Sequence, residues 1–251
     1  MSITLNPKAH LFLTSLPGGY SVEGGEAQTK GFFEKNEFIE LLKSLWKEKS
    51  KILYITASPN RKNASNFVIT IFSKFFKISN FSFSCIDLCD DDNYKQKLED
   101  YDVVILGWGH VPTQNKFFEK INLAERIKTF EGIIFAVSAG SMNSPKEAYA
   151  QPELPGEAKN PKYQRFLKGL GITEFQIVPH YHWKKKKKLD GYRIIEDITY
   201  NDSIGRCLYV IPNGSYIYQT TKEAYMYGEA YKVQDKIMTK ICDDGNKLKL
   251  Y

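Results

Sequence analysis

The chain has 251 residues, 42% apolar and 14% aromatic, enough to fill the core of one large α/β domain or of one domain with an appendage. A formal net charge of +6 is too modest to argue for a nucleic-acid partner, and no apolar run reaches the ~18 residues that a membrane-spanning helix needs. Residues 1–16 contain no basic segment followed by a long apolar one, so no signal peptide is read and a cytoplasmic protein is expected. Cys85, Cys89, Cys207 and Cys242 are scattered without zinc spacing, which predicts buried or free thiols and no metal.

In chain order, residues 11–14 form a short strand candidate, followed by the Pro17-Gly18-Gly19 turn. Residues 35–47 place Phe38, Ile39, Leu41, Leu42, Leu45 and Trp46 at helical spacing. Strands are predicted at 51–57, 81–88, 102–106 and 132–137, with helices at 65–76 and, in two pieces, at 117–130. This alternation predicts a mostly parallel, doubly wound sheet with right-handed crossovers and helices on both faces. From 193 the pattern changes to short strand-like runs at 193–198, 208–211, 215–219, 224–227, 230–233 and 236–241, with turn signals at Pro212-Asn213-Gly214 and Asp243-Asp244-Gly245. These predict an antiparallel meander attached to the main sheet. The expected organisation is one α/β domain over 1–251, with 1–50 as an extension packed on it and 193–251 as the meander.

The segment Ile133-Ile134-Phe135-Ala136-Val137-Ser138-Ala139-Gly140-Ser141 runs an apolar strand into a serine flanked by small residues, and a helix is expected at 142–150. That is the shape of a nucleophile elbow, a strand-to-helix turn too tight for bulky neighbours. A serine nucleophile needs a base. Of the four histidines, His10 precedes the first strand, whereas His180, in Val178-Pro179-His180, ends an apolar strand where active groups of open α/β sheets collect. His182 would face the same side if the strand continued. The turn Gly107-Trp108-Gly109-His110 also follows a strand, and its backbone N–H, with that of Ala139, could form an oxyanion hole.

Taken together, Asp102 to His110, Val137-Ser138-Ala139-Gly140-Ser141, the stretch from Gly169-Leu170-Gly171 to Val178-Pro179-His180-Tyr181, and Ile211-Pro212-Asn213-Gly214-Ser215-Tyr216 resemble the peptidase E family of serine peptidases, relatives of the aspartyl dipeptidases and cyanophycinases. The resemblance implies a fold similar to the class I glutamine amidotransferase domain. It implies Ser138 as nucleophile, His180 as general base and a downstream acid as third member of a Ser-His-Glu triad. Glu153 has the family-like offset, with Glu157 and Glu147 as alternatives. Gly109 and Ala139 are then the oxyanion-hole donors, and Trp108, His110 and His182 the candidate substrate-binding residues. The family's turn usually reads G-G-G-N-T, so Trp108 and His110 are departures.

The activity expected is hydrolysis of short peptides, with an acidic N-terminal residue favoured and no cofactor. Segments 151–160 and 182–190 are expected to rim the site, and the run Lys184 to Lys188 to draw acidic substrate toward it. A second copy of the chain is a candidate partner. The elbow holds serine where a glutamine amidotransferase needs cysteine, so glutaminase activity is not expected. The rival reading is a non-catalytic binding or regulatory module on the same scaffold, which predicts a misaligned Ser138–His180 pair.

Overall fold

Strands that are apolar without interruption can lie stably only where both faces are covered. Ile133–Val137 is such a strand, and all five of its residues are buried. Successive side chains point to opposite faces. Ile134 and Ala136 therefore join Leu53, Ile55, Val104 and Leu106 in one apolar cluster, while Ile133, Phe135 and Val137 join Ile52, Tyr54, Val103 and Ile105 in another. Helices Phe38–Leu45 and Lys62–Ile78 cover the second cluster with Phe38, Leu42, Phe72, Phe75 and Phe76. Helices Val111–Lys120 and Leu123–Arg126 cover the first with Phe117, Phe118 and Leu123. Each such side chain contributes roughly 1.5–3 kcal/mol by leaving water.

The structure, a computed structural model, describes residues 3–251. Its main sheet begins with parallel strands Phe83–Cys89, Ser50–Ile55, Val103–Leu106, Ile133–Val137 and His10–Thr14. Tyr216–Gln219, Ala224–Tyr227 and Lys247–Lys249 extend it antiparallel. The fold is thus the expected α/β arrangement, with a mostly parallel central sheet and antiparallel C-terminal strands.

Several elements differ from their sequence reading. The first fifty residues are not an added layer, because His10–Thr14 sits inside the sheet between Ile133–Val137 and Tyr216–Gln219. A hairpin, Gly18–Glu23 with Glu26–Phe32, follows where only a turn was read. The helix expected at 142–150 is the short Ala139–Asn143, after which Glu147–Tyr149 is a strand paired with Phe166–Lys168. The strand expected at 193–198 is a π-helix, Ile194–Thr199, burying Ile194, Ile195, Ile198 and Thr199, a spacing that suits a helix better than alternation does.

The C-terminal strands also divide between two sheets. Cys207–Val210, Ala230–Gln234 and Ile237–Cys242 join Gln176–Val178 in a separate sheet. His180 therefore follows a strand of this second sheet, not of the central one. Among the described residues, no helix is long and apolar enough to cross a membrane. All four cysteines are free, Cys89 and Cys242 buried and Cys85 and Cys207 half-buried.

Candidate active site

Strands Val103–Leu106 and Ile133–Val137 run parallel, so the glycine turn and Ser138 leave the same edge of the sheet. Ser138 has φ 51° and ψ −106°, a backbone state that costs about 1–3 kcal/mol unless its surroundings enforce it. Its N–H donates to the Thr14 carbonyl at 3.0 Å, and its own carbonyl accepts from the Met142 N–H at 3.0 Å. The Ser141 hydroxyl lies 2.8 Å from the Thr14 oxygen and 3.0 Å from that of Ala136. Gly140 passes so near the neighbouring strand that a Cβ there would lie 2.2 Å from the Leu106 oxygen. That collision is the physical reason position 140 is glycine.

His180, at φ 63°, leaves its strand in a left-handed turn held by a 2.8 Å bond from its N–H to the Ser15 hydroxyl. Its Nε2 lies 2.8 Å from Ser138 Oγ. Its Nδ1 lies 2.8 Å from Asn213 Oδ1. An amide oxygen can only accept, so Nδ1 carries the proton, and Nε2 is left to accept from the Ser138 hydroxyl. Burial lowers the His180 pKa from 6.5 to about 4; nearby Lys184 acts in the same direction, and the Asn213 bond opposes it. A neutral imidazole in this tautomer can take a proton from serine. The misaligned pair expected of a non-catalytic scaffold is not what the geometry contains.

The sequence was compared with known proteins. No curated protein matches it at a significant level. The model of Peptidase family S51 matches residues 23–226, most of the chain. The chain belongs to peptidase family S51. It is accordingly a serine peptidase, a hydrolase. Its fold is similar to the crystal structure of a candidate peptidase E protein from Listeria monocytogenes EGD-e, with 14% identity and a TM-score of 0.51 over 93% of this chain and 99% of that one.

The acid expected behind His180 in this S51 peptidase is replaced by an amide. Glu153 is not hydrogen-bonded to His180; its Oε1 lies 3.8 Å from Lys184 Nζ. Burial raises the Glu153 carboxyl pKa, and the charges of Lys184 and then His110 oppose that rise. Glu157 pairs through Oε1 with His110 Nε2 at 2.9 Å and accepts the N–H groups of Glu153 and Leu154 on Oε2. Glu147 pairs with Arg206 at 2.8 Å. The histidines expected at the substrate are also engaged elsewhere. His110 bonds Thr113 and Glu157, and exposed His182 pairs with Glu229 at 2.9 Å.

A cavity of about 360 Å³ opens over Ser138, His180 and Gly109. Trp108 lines it, stacked on Tyr20 of the hairpin at 5.9 Å. Among the described residues, the N–H groups of Gly109 and Ala139 make no backbone hydrogen bond. Pro152 and Glu153 line the cavity from one expected rim segment, and Trp183, Lys184 and Lys187 from the other. The Asp190 carboxylate ties these segments together by accepting the N–H groups of Gly156, at 2.8 Å, and Ala158, at 3.0 Å.

The lysine run is not one surface. Lys185, Lys186 and Lys188 are exposed, Lys187 sits over the Trp183 ring, and Lys184 is only 2% exposed. The Lys184 ammonium has no hydrogen-bond partner, and burial lowers its pKa while Glu153 opposes that shift.

Asn213 and Ser15 are not site candidates on sequence alone. Asn213 stood in a Pro-Asn-Gly turn, which conceals a side chain chosen for its amide oxygen. Lys184 lies in the run expected to draw acidic substrate, and nothing in that run marks which member is buried.

Proposed function

We propose that this peptidase hydrolyses short peptides with an acidic N-terminal residue through Ser138, His180 and Asn213. The observation that carries the reading is the relay of two 2.8 Å contacts from Ser138 Oγ through the His180 ring to Asn213 Oδ1. Ser138 attacks the scissile carbonyl as His180 Nε2 takes its proton. His180 then delivers that proton to the leaving amine, and water repeats the cycle on the acyl-enzyme. The N–H groups of Gly109 and Ala139 stabilise the oxyanion. Asn213 holds the imidazole by a dipole, the role asparagine has in Cys-His-Asn sites.

Substrate size and charge are read from the cavity. Its volume lies at the low end of the ~300–1,000 Å³ of small-ligand sites, which favours a dipeptide over a folded protein. The Lys184 ammonium is buried without a hydrogen-bond partner, and Glu153 at 3.8 Å offsets its charge only in part, so a further anion reaching it is favoured. Lys184 therefore receives the substrate's side-chain carboxylate, and Glu153 beside it receives the terminal ammonium.

Dipeptides beginning with Asp or Glu should show kcat/KM at least about tenfold above their alanyl counterparts, and casein should remain uncut. Equal turnover of alanyl dipeptides would remove the acidic preference, and comparable cleavage of casein would remove the small-substrate reading. Lys184→Met should raise KM for the acidic dipeptides by about 30-fold or more, because the carboxylate would enter without its counter-charge. An unchanged KM in that variant would release Lys184 from substrate recognition.

A further inference from the structure

Ser15 is fully buried immediately after strand His10–Thr14. Its hydroxyl oxygen accepts the His180 N–H at 2.8 Å, stands 2.8 Å from Asn213 Oδ1, and lies 3.3 Å from His180 Nδ1. Ser15 itself neither lines the cavity nor bonds Ser138; among the described residues its hydroxyl meets only His180 and Asn213.

Asparagine in this position brings a problem that a carboxylate does not have. A carboxylate offers an acceptor in either orientation, whereas an amide has a wrong way round. Turned about, its NH2 would donate to Nδ1, the ring proton would move to Nε2, and Ser138 would face a donor instead of a base. The Ser15 hydroxyl discriminates between the two orientations. It has one proton to give, and the nearer acceptor is Asn213 Oδ1. In the reversed orientation the amide would donate to Ser15, and the Ser15 proton would have only the longer path to an Nδ1 already engaged. A buried hydroxyl proton without a partner disfavours that state.

Resting on the proposed Ser138–His180–Asn213 relay, we propose that Ser15 is a positioning residue that keeps the Asn213 oxygen toward His180 and so selects the reactive imidazole tautomer. Ser15 acts on the proton's location and not on substrate binding. Ser15→Ala should therefore lower kcat about tenfold with KM for the same dipeptide within about twofold. The substitution should be nearly silent in an Asn213→Asp background, where either oxygen accepts.

The deciding measurement is independent of turnover. Ring-nitrogen chemical shifts of nitrogen-15-labelled protein should report a single Nδ1–H tautomer for His180 near neutral pH, and a population of Nε2–H in Ser15→Ala. Thermal melting establishes that the variant is folded, and Ser15→Cys, a poorer donor of similar size, supplies the same comparison if the alanine variant is not. An unchanged Nδ1–H tautomer, or an equal kcat loss in both backgrounds, overturns the proposal. Ser138→Ala tests the underlying reading separately: full activity there would defeat the relay whatever the tautomer of His180.

Discussion

Ser138→Ala should reduce turnover by about 10⁴-fold or more, the scale on which loss of a nucleophile is felt in serine-based triads. The elbow is held by backbone bonds from Ser138 to Thr14 and Met142, not by its hydroxyl. The variant should therefore melt close to the parent and still bind acidic dipeptides. His180→Ala should cost a similar factor, and the double variant little more than either alone, because nucleophile and base act as one unit. Turnover within tenfold of the parent in Ser138→Ala would show that another group attacks the carbonyl.

Asn213→Ala should cost about 10²-fold or more in kcat by freeing the imidazole from its reactive orientation. The pH profile separates this role from packing. Burial keeps the folded imidazole neutral down to about 4, so activity of the parent should fall only as the pH drops through that value. Asn213→Asp adds a negative charge at Nδ1, favours the imidazolium and should move the acid limb upward. An acid limb unmoved in Asn213→Asp would deny that this side chain meets the ring. Stability carries the same sign. The unfolded imidazole, with its ordinary value of 6.5, binds a proton before the folded one does. Above pH 6.5 the group has no effect, and between 6.5 and 4 it withdraws up to roughly 3 kcal/mol from the folded state.

The sequence was most legible where one physical constraint fixes several residues at once. The elbow is an example: the approach of residue 140 to the Leu106 carbonyl leaves room only for glycine, and a glycine two places after a strand-ending serine is readable without coordinates. The parallel strands were readable because their two buried faces require unbroken apolar runs. Where one residue suits two roles, reading fails. Asn213 sits in a turn where asparagine is common, and its side chain meets the histidine instead. Glu153 has the right offset from the serine, but its loop turns it toward Lys184. Charge spacing could not reveal that one lysine of the run is drawn inward while its neighbours remain in water. The division of the C-terminal strands between two sheets is equally hidden, since each short strand carries the same local pattern whichever partner it finds.

The residues of the relay come from distant parts of the chain. Ser138 and His180 are 42 positions apart, and Ser15 and Asn213 are 198 apart. The first strand of the central sheet finds its antiparallel neighbour only among residues 216–219. Synthesis must therefore pass residue 213 before the His180 ring has the amide oxygen behind it, so the relay closes only after the strands that flank it have left the ribosome.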